Sequence, residues 1–301
     1  MILVTGGTGF IGRRLVAQLR LEGKSVAVLT HDPKTTHCPG GVPLVLADLT
    51  TGLSPALLTG VQSVVHLAAR GGDGELDTLR ALNVRGTHHL ASAAAEVGVE
   101  RFVHISSAGV YGRFRPGRPL REEDPLQPET AYERSKAEAE HAVERACTAG
   151  QVPLAILRPA GVYGPGRPAT EDFIRQVHRR RLWIHGPRPA IVHPTFVDDV
   201  VHAIQRLLER PVGGLEVYNI AGERALTFPE WIREVGRQAG HVPWQFQVPE
   251  AAALLLGRRG ALRYYRELDT TRARERLSFE PVPMQAGIAM TLAGDAPMPN
   301  E

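Results

Sequence analysis

Six short runs of consecutive apolar residues punctuate the first half of the chain: Ile2-Leu3-Val4, Val26-Ala27-Val28-Leu29, Leu44-Val45-Leu46, Val64-Val65-His66-Leu67, Phe102-Val103-His104-Ile105 and Leu154-Ala155-Ile156-Leu157. Each is strand-sized and apolar on successive residues, so it needs cover on both faces, as a strand of a parallel sheet does. Between the runs, residues 10–22, 78–97 and 131–149 carry helical patterns. Strand and helix in regular alternation predict an α/β fold with a doubly wound parallel sheet.

The alternation stops after Pro159. Residues 161–190 hold Gly and Pro clusters around a basic helical stretch from Asp172 to Arg181, and Val217-Tyr218-Asn219-Ile220 reads as one more strand rejoining the sheet. The expected organisation is a main sheet domain (1–160 with 191–221), a smaller C-terminal α/β substrate lobe (161–190 with 222–294) and a frayed tail (295–301). A chain of 301 residues with 43% hydrophobic and 22% charged residues buries roughly three quarters of its unfolded surface, so it needs no covalent staples. Its two cysteines, Cys38 and Cys147, form neither a zinc spacing nor a disulfide framework, and no metal is expected. Balanced charge, 35 basic against 32 acidic residues, gives no reason to expect nucleic acid as a partner. The start has no basic n-region and no apolar run approaches a span of ~20 residues, so a soluble, cytoplasmic protein is the expectation.

Thr5-Gly6-Gly7-Thr8-Gly9-Phe10-Ile11-Gly12 follows the first strand and opens a helix. Gly6, Gly9 and Gly12 permit a tight turn, close approach of a pyrophosphate and close helix–strand packing, and the diphosphate sits on free N–H groups. Strand, turn and helix in that order read as a dinucleotide site in a Rossmann-type sheet. A carboxylate for the ribose 2′-OH is expected at the end of the second strand, where this chain has Thr30, with Asp32 slightly late. Without that carboxylate, and with His31 and Lys34 adding positive charge, the balance tips slightly from NAD to NADP.

Tyr132 and Lys136 lie four residues apart in a helical pattern and share a face. Of the 35 basic residues only Lys24, Lys34 and Lys136 are lysine, so a compact ammonium has been kept where arginine is the habit. An ammonium and an oxidised nicotinamide both favour phenolate, which makes Tyr132 an acid/base near neutral pH. Ser107 follows the strand ending at Ile105, where ligands of such sheets bind, and is suited to orient the reacting oxygen.

Taken together, TGGTGFIG (5–12), ADL (47–49), VVHLAA (64–69), NVRGT (83–87), SSAGVYG (106–112), AYERSK (131–136), LRPAGVYGPG (157–166), FVDDVV (196–201) and YNIAG (218–222) resemble the extended short-chain dehydrogenase/reductase superfamily, in its nucleotide-sugar epimerase/dehydratase-like group. The resemblance implies Ser107, Tyr132 and Lys136 as the catalytic trio, with Tyr132 and Lys136 also against the cofactor. It further implies NAD(P) held by the glycine turn with Phe10 and Ile11, by Asp48 and Leu49 at the adenine, by Ala68, and by Pro159 and Val162 beside the nicotinamide. A homodimer joined through helices 78–97 and 131–149 is implied as well, and alanines on the second helix suit either close helix packing there or packing on the sheet.

The departures fall on the substrate side. Dehydratases of the group carry an acidic residue or pair just after the Ser/Thr, where this chain has Ala108 and Gly109. Gly161 replaces an Asn common in sugar-nucleotide members, and Ile191-Val192-His193-Pro194-Thr195 replaces an arginine-containing approach to the Asp pair. Nucleotide-sugar epimerisation is the leading expectation, and net reduction of a non-nucleotide ketone or aldehyde is the alternative. A nucleotide-binding scaffold or redox sensor needs no such trio. Substrate contacts are expected from Ser107, Arg70 and Arg180, although the basic stretch Arg175–Arg181 reads equally well as a solvated face. His66 and His104 read as core residues with one satisfied nitrogen, Asp198 and Asp199 as a helix cap, and Trp183, Trp231 and Trp244 as packing in the small lobe.

Overall fold

The computed structural model describes residues 1–32, 41–72, 74–112, 117–179, 181–185, 190–248 and 267–294. Lys34, Cys38, Arg180 and the expected frayed tail lie outside the described residues.

The six apolar runs form strands β1 (Ile2–Thr5), β2 (Val26–Thr30), β3 (Leu44–Leu46), β4 (Ser63–His66), β5 (Arg101–Ile105) and β6 (Leu154–Pro159), and β7 (Leu215–Ile220) rejoins them. All pair in parallel, in the order β7-β6-β5-β4-β1-β2-β3. The chain steps outward from β1 to β3, then crosses back to β4 on the other side of β1. A crevice therefore opens at the carboxyl ends of β1 and β4, the topological switch point where such sheets bind ligands.

Helices cover both faces, as the apolar strands require. On one side Leu15, Val16 and Leu19 of α1 (Phe10–Leu21) and Val200, Ile204 and Leu207 of α6 (Val197–Glu209) pack on Val4, Val65 and Val103. On the other, Leu90 and Ala94 of α3 (Thr87–Glu96) and Val143, Ala146 and Cys147 of α4 (Ala131–Ala149) pack on Leu3, Val64 and Phe102. The expected helix 78–97 is α2 (Leu76–Arg80) running through a π-helical segment (Ala81–Gly86) into α3. Ala137, Ala139, Ala142 and Ala146 are buried within this one chain, so they serve intramolecular packing.

The smaller lobe has its own core, in which Tyr163, Phe196, Leu226, Trp231, Met284 and Ile288 meet. Its helices are α5 (Pro168–Val177), α7 (Phe228–Gln238) and α9 (Met284–Leu292). The helix expected over 172–181 starts and ends earlier because Pro168 is preorganised for a first helical turn, while Arg181–His185 is a strand paired with Trp244–Val248. Helix α8 (Thr271–Leu277), from the stretch assigned to the small lobe, packs instead on the main sheet, where Ala273, Leu277 and Phe279 join the α1–α6 core. Trp231 is buried as expected, but Trp183 and Trp244 are 58% and 75% exposed, because their two-stranded sheet has little cover.

Two neighbouring carboxylates at the start of α6 hold it in place, Asp199 against the lobe and Asp198 against α1. Asp199 accepts from the Phe196 N–H at 2.8 Å, capping α6, and from the Val282 N–H at 2.7 Å. Asp198 is held by both arms of Arg14, at 2.7 and 2.8 Å.

Candidate active site

The glycine turn is shaped by lack of space. Gly6 has φ +68°, and a Cβ there would lie 2.7 Å from the Ala68 nitrogen. A Cβ on Gly12 would collide with the Gly6 carbonyl oxygen, and one on Gly7 would meet the Val28 side chain at 2.7 Å. Gly7, not singled out among the sequence candidates, is thus as constrained as its neighbours. Gly9 starts α1 with no side-chain cap, and the first turn carries no acidic residue. Its N–H groups face a cradle that any side chain would fill, which fits the diphosphate of a dinucleotide. Ala68 forms the opposite rim, with its N–H donating to Thr5 Oγ1 at 3.2 Å. Phe10 carries the Arg167 guanidinium 5.9 Å above its ring, and Ile11 packs where the two cores meet.

Of the residues expected at the adenosine, Thr30 is buried while His31 and Asp48 are exposed. Thr30 closes β2, and its Oγ1 accepts the Asp32 N–H at 3.2 Å. His31 is exposed and its charge acts on Asp48. Asp48 Oδ1 accepts from the Thr50 hydroxyl at 2.7 Å and the Thr50 N–H at 2.8 Å, and these bonds, with His31 as a lesser cause, hold its carboxyl below the usual range. Leu49 does not face the crevice: it is buried among core residues, and its carbonyl accepts from His89 at 2.8 Å.

At the carboxyl end of β5 three segments converge. Helix α4 begins at a capping box, in which Thr130 Oγ1 accepts from the Glu133 N–H at 3.1 Å and Glu133 Oε2 accepts from the Glu129 and Thr130 N–H groups at 3.0 and 3.1 Å. The box fixes the first turn, and so fixes Tyr132. One turn on, Lys136 is 2% exposed and its Nζ donates to the Ile105 carbonyl at 2.7 Å, tying α4 to the strand that ends two residues before Ser107. Ser107 caps a short 3-10 turn (Ala108–Tyr111), its Oγ accepting the Gly109 N–H at 3.0 Å. Gly109 allows close approach here, since a Cβ would lie 3.0 Å from Glu133 Cγ and 3.1 Å from Ser107 Oγ.

Burial raises the Tyr132 phenol, opposed by the charge of Arg167 and reinforced by that of Glu133. Burial likewise draws the Lys136 ammonium down to about 8, opposed by Glu140. Arg167 was not among the sequence candidates, although it directly follows the VYGPG segment and precedes the Pro that starts α5. Glu140 also escaped notice, yet Tyr132, Lys136 and Glu140 recur at four-residue spacing along one helix face. Arg158 grips Glu140 at 3.0 and 2.7 Å and donates to the Tyr111 hydroxyl at 2.9 Å, which in turn donates to Asn219 at 2.7 Å. One guanidinium thus links the Ser107 turn, the Tyr132 helix and the strand leading to Pro159.

A second buried network backs the first. His66 sits between Thr5 Oγ1 at 2.6 Å and Thr87 Oγ1 at 2.8 Å, so both its nitrogens are satisfied. His104 corrects the expectation of one satisfied nitrogen in the other direction: neither of its ring nitrogens has a protein partner, although it is fully buried. Asn83 receives the Arg70 N–H at 2.7 Å and donates to the Arg70 carbonyl at 3.0 Å and to Ser135 Oγ at 2.9 Å. Arg70 is therefore held by its backbone after β4, with an exposed side chain.

Beyond Pro159 and Val162 a cavity of about 310 Å³ opens between the sheet domain and the lobe, reaching α5, α7 and α9. Arg175, from the expected basic stretch, is exposed and paired with Asp172. Among the described residues no His, Cys, Asp or Glu cluster could hold a metal ion, and no helix is long and apolar enough to cross a membrane.

Residues 2–221 match the model of the NAD dependent epimerase/dehydratase family. A UDP-glucose 4-epimerase of Mycolicibacterium smegmatis is 31% identical over 314 residues, covering 96% of each chain, and one of Vibrio cholerae is 29% identical, covering 85% of this chain and 81% of its own. Among solved structures, MoeE5 with UDP-glucuronic acid and NAD superposes with a TM-score of 0.82 at 27% identity over 97% of both chains. A UDP-glucose 4-epimerase of Thermotoga maritima with UDP-glucose gives 0.84 at 25% over the same shares. The chain belongs to the NAD dependent epimerase/dehydratase family.

Proposed function

We propose that the protein transfers hydride between NAD(P) and an alcohol or ketone carbon, that the reaction is epimerisation of a nucleotide-bound sugar, and that Tyr132 is its acid/base. The observation that carries this reading is the convergence of Ser107, Tyr132 and Lys136 at the end of β5, beside the glycine cradle. Epimerases aligned over most of the chain support it.

Gly6, Gly9 and Gly12 would hold the diphosphate through backbone N–H groups, with Asp48 at the adenine, Ala68 at the rim, and Pro159 and Val162 beside the nicotinamide. When bound, the cofactor supplies the hydride acceptor and donor. Ser107 Oγ already accepts from Gly109, which leaves its proton to donate to the substrate oxygen. Tyr132 would take the proton of the substrate alcohol during oxidation and return it during the reduction that inverts the carbon. Lys136, with a pKa of about 8, is mostly charged at neutral pH and favours the phenolate. Dehydration would need a further acid, and Ala108 and Gly109 provide none while Glu133 is engaged by backbone N–H groups.

The cofactor preference in this reading is NADP, since Thr30 places no carboxylate at the ribose. The assembly is a homodimer through α2–α3 and α4, and the location is the cytoplasm. A second reading, net reduction of a non-nucleotide ketone with NADPH, is favoured by the apolar walls of the cavity.

Supplying UDP-glucose with trace NAD(P) tests the reading. Epimerised product without net change in reduced-nicotinamide absorbance is the expected result. Stoichiometric NADPH consumption with a ketone, and no epimerisation, would establish the second reading in its place.

A further inference from the structure

A line of buried hydrogen bonds, continuous through Asn83, runs from the glycine cradle to Tyr132. Its members Thr5, His66, Thr87, Asn83 and Ser135 are each no more than 1% exposed. The direction of every link follows from the chemistry of its partners. Thr87 Oγ1 gives its one proton to the Asn83 carbonyl at 2.6 Å, so toward His66 Nε2, 2.8 Å away, it can only accept. His66 therefore carries its proton on Nε2. Burial, with the charge of Lys136 as the lesser cause, draws the imidazole down to about 3, so at neutral pH Nδ1 is bare. The Thr5 hydroxyl, 2.6 Å from Nδ1, then donates to it, and Thr5 Oγ1 in turn accepts the Ala68 N–H at 3.2 Å.

The far end is equally determined. The Ser135 hydroxyl donates to the Tyr132 carbonyl at 2.7 Å and so accepts from Asn83 Nδ2 at 2.9 Å. Asn83 joins the two parts, with Thr87 on its main-chain carbonyl and Ser135 on its side chain. It lies in the π-helical segment (Ala81–Gly86), a departure from α-helical winding that is frequent at functional sites. At the near end the Ala68 backbone is the wall of the glycine turn, since a Cβ on Gly6 would lie 2.7 Å from the Ala68 nitrogen. His66 is the only ring in the line. Its donor and acceptor are held at opposite ends of a rigid plane, and in a dry interior such a bond is costly to leave unmade.

We propose that His66 is a positioning residue for the reaction: by accepting from Thr5 and donating to Thr87 at once, it fixes the glycine cradle relative to the first turn of α4. The proposal rests on the reading of Tyr132, which that turn carries, as the acid/base.

Side-chain 15N NMR of histidine-labelled protein, with His66 assigned from its missing signals in His66→Gln, should show Nε2 protonated and Nδ1 bare at pH 7. Two half-replacements separate the ends. The amide nitrogen of His66→Gln falls near the place of Nε2, so it keeps the donor to Thr87 and loses the acceptor for Thr5. The amide oxygen of His66→Asn falls near Nδ1 and does the reverse. His66→Gln should weaken NADPH and NADH about tenfold by calorimetry, the scale of one hydrogen bond, and leave turnover of UDP-glucose at saturating cofactor within about threefold. His66→Asn should keep both cofactors within about twofold and lower turnover about tenfold. Ser135→Ala, which breaks the last link from outside the sheet, should behave as His66→Asn does. A proton on Nδ1, cofactor affinity unchanged in His66→Gln, or equal weakening in the two half-replacements would each overturn the proposal. The NMR and cofactor readings involve no turnover, so they decide it even where the assignment of Tyr132 or of the substrate fails.

Discussion

Around the glycine turn, main-chain atoms set the geometry: Gly6 lies against the Ala68 backbone, Gly12 over the Gly6 carbonyl, and Lys136 on the Ile105 carbonyl. Across the crevice, side chains do the same work, with Phe173, Phe228 and Trp231 walling a cavity that the half-buried Arg167 also lines. The first region tolerates almost no change, because a backbone contact leaves no room for a side chain. The second can change its shape and polarity one residue at a time. A fold built this way keeps its cofactor chemistry while its substrate varies.

The contrast is sharpest in the buried ion pair. Arg158→Met leaves the Glu140 carboxylate buried and uncompensated and should cost about 3–5 kcal/mol, measured by denaturant unfolding. A loss under ~1 kcal/mol would show that the pair is dispensable to the trio's scaffold.

His104 probes the same region from the opposite side. Replacing an imidazole without a protein partner by His104→Leu should stabilise by about 1–3 kcal/mol at neutral pH. Burial and then Lys136 hold His104 well below the ordinary histidine range, so the unfolded chain binds more protons as pH falls below ~6.5. The stability linked to that depressed pKa is full above ~6.5 and lost on acidification, so the advantage of the variant should widen between pH 7 and pH 5. Asp199, raised to about 7 chiefly by burial, contributes in the opposite sense, with stability lost as pH rises through 7. It is present in both proteins and cancels in the difference. A gap that narrows with acid would contradict the assignment.

The smallest effect is expected at the end of β2. Thr30→Asp should reverse a preference for NADPH over NADH worth about 1 kcal/mol, or several-fold in affinity. Wild-type preference for NADH by calorimetry would show that Asp32, not Thr30, reads the ribose.

Legibility in the sequence followed the same division. All seven strands of the main sheet, the glycine turn and α4 were readable, because two-sided burial leaves apolar runs and tight turns leave glycines. Gly7, Arg167 and the Glu140–Arg158 pair were not, since what makes each matter is a neighbour far away in the chain: Val28 for Gly7, Tyr132 for Arg167, and Tyr111 for Arg158. In the lobe, α8 lay on the main core and Trp183 and Trp244 lay exposed, for hydrophobicity alone does not say which surface a segment will find. Leu49 shows the limit within a motif: the resemblance implies a place for it at the adenine, yet its side chain is buried in the core.

Tyr132→Phe, examined by calorimetric titration with NAD(P) and by turnover on the same preparation, addresses the central claim most directly. Removing one hydroxyl should leave the cofactor dissociation constant within about twofold of the wild type, while turnover falls by a factor on the order of 10² or more, as expected for loss of a positioned general acid/base. Turnover retained in the variant, with cofactor bound as before, would contradict the account.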